Sequence, residues 1–217
     1  MTKSGAAAGT AFDDHAESAM DWARANARPL GIAAAIVAIA ALGWFFGKQW
    51  NERRADQADA ALNRARQSYA QGNLPLAQTD LRRVITRFGG SSAGSQATML
   101  LAQAFFEQGK ADSGLKVLTE GKPVDADEAA FEALKGAGYE QLKQYDKAAE
   151  RYRAAAGIAD AKIAKDRYLA DAARSLTSAG NKAEAAKIWS TLANDNLSTF
   201  SAEARVRLGE LTATPAK

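Results

Sequence analysis

Residues 134–156, LKGAGYEQLKQYDKAAERYRAAA, read as two helical runs folded back on each other, with a small residue, Ala148, and a large one, Tyr152, early in the second run. The same layout recurs on both sides of this stretch, each time with a glycine at the turn: Gly72-Asn73, Gly109-Lys110 and Gly180-Asn181 each close one helical run and open another. Five residues beyond each glycine stands a small residue (Ala77, Gly114, Ala185), and nine beyond stands a large apolar one (Leu81, Leu118, Trp189). With Ala148 included, the small positions are spaced by 37, 34 and 37 residues. Two helices of a hairpin approach closely only where one offers Ala or Gly, and the neighbouring large side chain fills the groove that results.

A helical hairpin repeated every 34 or so residues resembles the tetratricopeptide repeat. The resemblance extends into the first helix of each pair, where Leu101, Ala102 and Phe105, and again Ala172, Ala173 and Leu176, fall at the large, small and large positions. Departures are visible. Arg64 and Ser68 stand where large apolar residues are expected, the closing proline is missing, and the second helix of the second copy breaks early at Gly121-Lys122-Pro123. Such hairpins bury one face against their neighbours, so at least three must stack. Four are present, and residues 201–211, SAEARVRLGEL, read as a capping first helix. The expected fold is all-α: a tetratricopeptide-like solenoid of about four hairpins plus a cap over 48–212, with a short tail at 213–217.

Upstream, residues 29–47, PLGIAAAIVAIAALGWFFG, hold no charge between Arg28 and Lys48. Nineteen helical residues reach about 28 Å, close to the roughly 30 Å of a bilayer core. Leu30, Ile32, Ile36, Val37, Ile39, Leu42, Phe45 and Phe46 together favour insertion by roughly 2 to 5 kcal/mol. The run is therefore expected to be a single transmembrane helix, with Trp22, Arg28, Trp44, Lys48 and Trp50 at the membrane interface. A buried core helix and a cleaved signal peptide are the competing readings; the acidic leader and the missing cleavage site argue against the second. Residues 1–28 read as a short N-terminal tail, whose 12–27 segment has an amphipathic pattern carrying His15.

The rest of the composition mostly excludes. Among 217 residues there is no Cys and one His, so disulfides, thiolate metal sites and the usual catalytic triads are absent. No glycine-rich phosphate loop follows a strand. The acidic cluster Asp125, Asp127, Glu128 reads as a helix start, and Arg82-Arg83 as a solvated helix edge without the aromatics that stack bases. Neither an enzyme, a cofactor, a small-molecule substrate nor nucleic acid is expected. Charge is uneven: residues 48–88 carry eight basic residues against four acids, while 107–150 carry ten acids against six lysines.

In a tetratricopeptide array the first helices line the concave face, where partner peptides lie. Exposed positions there are the candidates for partner binding: Arg66, Tyr69, Met99, Gln103, Phe106 and Arg174. The whole layout, with LGIAAAIVAIAALGWFFGKQWNERR as its most distinctive stretch, resembles the bacterial YfgM family. That resemblance implies an inner-membrane, single-pass protein with the tail 1–28 in the cytoplasm and the repeats in the periplasm, ancillary to the Sec translocon. Its partners would be translocon subunits, a membrane-anchored periplasmic chaperone and secreted clients. A structural or assembly subunit of another bacterial membrane complex is the alternative.

Overall fold

The computed structural model describes residue 22 and residues 25–213, the side chains at 30, 31, 33 and 34 excepted. Most of the expected tails 1–28 and 213–217, namely residues 1–21, 23, 24 and 214–217 and with them His15, lies outside the described residues. The chain divides into two compact units, residues 1–54 and 55–217.

In the first unit, helix α1 (Ala27–Ala70) begins. Among the described residues no helix is long and apolar enough to cross a membrane. The transmembrane helix expected over 29–47 is therefore corrected, and the single-pass inner-membrane placement with it. The large apolar side chains described there, from Ile32 to Phe46, are exposed. Nine of the nineteen residues are Ala or Gly, which add little apolar area. The interface role expected of Trp22, Arg28, Trp44, Lys48 and Trp50 depended on that span. Lys48 instead lies over the Trp44 ring at 5.8 Å and 3.8 Å from Glu52.

The second unit is a stack of helical hairpins. The end of α1 pairs with α2 (Leu74–Phe88), α3 (Ser92–Glu107) with α4 (Ala111–Glu120), α5 (Glu128–Gln141) with α6 (Tyr145–Ile158), and α7 (Lys162–Ser178) with α8 (Lys182–Asn194). Helix α9 (Ser201–Thr212) packs on α8 and closes the array. The all-α solenoid is thus as the repeat spacing predicts.

The turns explain the period. After each first helix the chain steps into the left-handed region, at Gly72 (φ 75°), Gly109 (φ 69°) and Gly180 (φ 84°). Each then returns two backbone hydrogen bonds to the helix it ends; at Gly109, for example, its N–H reaches the Phe106 carbonyl and Lys110 N–H that of Phe105, both at 2.9 Å. The hairpin without a glycine makes the same turn with Lys143 at φ 57°, whose N–H reaches Glu140 at 2.8 Å while Gln144 N–H reaches Tyr139 at 2.9 Å.

The core follows the small and large positions. Ala77, Ala148 and Ala185 are fully buried, and Leu81, Leu118, Tyr152 and Trp189 fill the space between paired helices. Helix α3 is buried on two sides: Phe105 joins a cluster with Leu62, Leu81 and Leu101, and Phe106 joins another with Leu115, Leu118 and Phe131. The early break predicted after the second copy is real, since α4 ends at Glu120 and extended chain from Gly121 leads to a single 3-10 turn, Asp125–Asp127.

Candidate functional site

Three first helices converge on one groove of about 270 Å³. Helix α3 contributes Met99 and Gln103; α5 contributes Ala130, Ala133, Leu134 and Ala137; α7 contributes Arg167, Tyr168 and Asp171, and Tyr152 of α6 reaches in from behind. The four α5 positions are i, i+3, i+4 and i+7, one stripe of a helix, so the middle of the groove is a low apolar surface between taller walls. Met99 is half-buried and Gln103 exposed.

A polar cluster sits under the α5–α7 wall. Both carboxylate oxygens of Glu140 are held, Oε2 by the Tyr152 hydroxyl at 3.0 Å and Oε1 by the Ser175 hydroxyl at 2.6 Å. Burial pushes the Tyr152 phenol well above its ordinary range, and the neighbouring Glu140 charge adds to this. Burial also lifts the Asp171 carboxyl above the usual carboxylate value, against the pull of Arg174 and Arg167. Arg174 donates to Asp171 Oδ1 at 2.5 Å, whereas Arg167 is 4.0 Å from it and 70 % exposed. Arg167 is thus the cation this groove presents to solvent.

The six candidate residues separate into three groups. Met99 and Gln103 line the groove. Arg66, Tyr69 and Arg174 are engaged in stacking one repeat on the next: Arg66 Nη2 donates to Gln96 Oε1 at 2.5 Å, and the Tyr69 hydroxyl donates to Glu107. Arg174 holds Glu203 of α9 through Nε at 3.0 Å and Nη2 at 2.6 Å, with its guanidinium 5.9 Å from the centre of the Trp189 ring. Burial, with the Glu107 hydrogen bond, pushes the Tyr69 phenol up to about 12. Phe106 forms the third group. At 8 % exposure it belongs to the core, its ring wedged against Gly114 and Gly138, where an added Cβ would come within 2.3 Å and 2.7 Å of it.

Arg167, Tyr168 and Asp171 complete the groove and are absent from the candidates the sequence suggests. Their signal is weak, since only the stacking of α7 beside α5 brings them opposite Met99. Among the described residues no group of three or more His, Asp or Glu could hold a metal ion.

The fold and the groove define a helical-hairpin repeat protein of the kind that serves as an interaction scaffold for other polypeptides. A tetratricopeptide repeat-like domain matches residues 57–172, just over half of the chain, and the chain belongs to that family. The match does not single out the YfgM family within it. Among solved structures, the nearly identical repeats assigned to a Podosopora anserina kinesin light chain superpose with a TM-score of 0.55 at 14 % identity, covering 71 % of this chain and 85 % of that one. At that identity the likeness is one of fold alone. A search of curated proteins finds no match.

Proposed function

We propose that the array is a non-enzymatic scaffold whose concave groove holds a segment of a partner or client protein. The observation that carries this is the convergence of α3, α5 and α7 on one groove with an Ala-lined middle, half-buried apolar walls and one solvent-facing cation. An extended or helical peptide would lie on Ala130, Ala133 and Ala137, cover Met99 and Tyr168, and offer an acceptor to Arg167. The finer reading rests on the layout that resembles the YfgM family. It makes the partner a subunit of the Sec translocon, or a chaperone or secreted client working with it; an assembly role in another complex is the alternative.

The test is affinity isolation of the full-length protein from its own cells, comparing wild type with Tyr168→Ala. Losing a groove anchor should cost about 1–2 kcal/mol of binding, roughly a tenfold loss of the captured partner. Undiminished capture by the variant would reject the groove. A partner set without translocon subunits would reject the finer reading alone.

A further inference from the structure

A second cleft, of about 510 Å³, lies on the α1–α2 hairpin and shares no residue with the concave groove. Its floor is Ala60, Ala61, Val84 and Phe88, and its rim carries Arg64, Arg83 and Arg87 against a single acid, Asp80. Asp80 pairs with Arg83 at 2.9 Å, yet the Arg83 side chain remains 72 % exposed. Among the described residues Arg64 donates only to the Ala60 carbonyl of its own helix, at 3.3 Å. The lining therefore has an excess of two positive charges over an apolar base.

Every later hairpin of the array receives the next helix against it, α5 on α4, α7 on α6 and α9 on α8. The α1–α2 hairpin receives α3 through Leu62, Leu81, Ala97 and Leu101. Its cleft is lined by α1 and α2 alone. Ala60 and Ala61 let another helix come close, as small residues do inside the stack.

We propose that this cleft is a docking site for an acidic amphipathic helix of a partner protein, its apolar side on Ala60 and Ala61 and its carboxylates on Arg64 and Arg83. Charge complementarity selects the acidic partner, since two exposed guanidiniums can each take a carboxylate through paired hydrogen bonds. Nucleic acid fits less well. Phe88, at 5 % exposure and covered by the Arg87 guanidinium 5.3 Å from its ring centre, offers no face on which a base could stack, and Asp80 would face the phosphates.

The experiment is fluorescence anisotropy on the full-length protein with a fluorescein-labelled helical peptide built of Glu-Ala-Leu-Ala-Glu-Ala-Leu heptads. Binding is expected at low salt and weakens as the screening length falls from about 30 Å at 0.01 M to about 8 Å at 0.15 M. The double variant Arg64→Glu/Arg83→Glu should lower affinity by about tenfold or more. Ala60→Trp, at an exposed position, fills the cleft without changing its charge and should weaken binding as well, so it decides the matter if the double variant loses its helical circular dichroism. Met99→Glu in the concave groove should leave this binding unchanged, which separates the two sites. No binding at low salt, binding indifferent to Ala60→Trp, or tighter arginine-dependent binding of an oligothymidine would each overturn the proposal.

Discussion

Lys143 carries the left-handed turn that its three counterparts assign to glycine. A side chain in that conformation costs roughly 1–2 kcal/mol, because Cβ crowds the following carbonyl. Nothing in the residue type betrays this, so the third turn is legible only from the 37, 34 and 37 spacing of its neighbours. Lys143→Gly should relieve the strain while giving the unfolded chain more freedom, for a net gain of about 0.5–1 kcal/mol. A higher urea midpoint at unchanged slope is the expected result; a lower midpoint would mean that the lysine side chain is worth more than the strain. Phe106 illustrates the opposite difficulty. On an amphipathic helix one of two adjacent aromatics is expected to face outward, but α3 lies between two hydrophobic clusters and buries both.

Helix α9 is attached to α7 by the fork of Arg174 on Glu203 as well as by apolar contact with α8. The Arg174 hydrogen bond holds the Glu203 carboxyl below its ordinary value, against the opposing effect of burial. A carboxyl depressed in the folded state stabilises it above the unfolded value, about 4.3, and that stability disappears as pH falls through the lower folded value. Between about pH 6 and pH 3, wild type should therefore lose more stability than Glu203→Gln, by less than about 1 kcal/mol because the pair is a third exposed. Asp171 works the other way, since its raised carboxyl gains a proton first in the folded state and offsets part of the loss. Equal losses in the two proteins would show that the fork contributes nothing to holding α9. The helices themselves were legible because their signals are local: glycine turns, Ala and Leu at fixed offsets, and the break at Gly121-Lys122-Pro123. The apolar run upstream shows the limit of such signals. Its length in residues suggested a crossing, yet nine of its nineteen residues are Ala or Gly and among the described residues no helix is long and apolar enough to span a membrane.

At the scale of the molecule, the stack turns separate hairpins into surfaces that none possesses alone. The concave groove combines residues from 99 to 171, and which of them oppose one another depends on how the repeats are stacked. That register is set by long-range contacts such as Arg66 with Gln96, Glu140 with Ser175 and Arg174 with Glu203. This is why Met99 and Gln103 could be picked from the sequence but Arg167, Tyr168 and Asp171 could not, and why Arg66 and Arg174 proved to be inter-repeat contacts. The central claim is that partners lie on the first helices. It is tested most directly by placing a photo-crosslinking amino acid at Gln103 on α3 or at Arg153 on α6, both exposed, in the full-length protein inside its own cells. The account predicts covalent protein adducts from position 103 and few from 153; adducts concentrated at 153, or absent from 103, would contradict it.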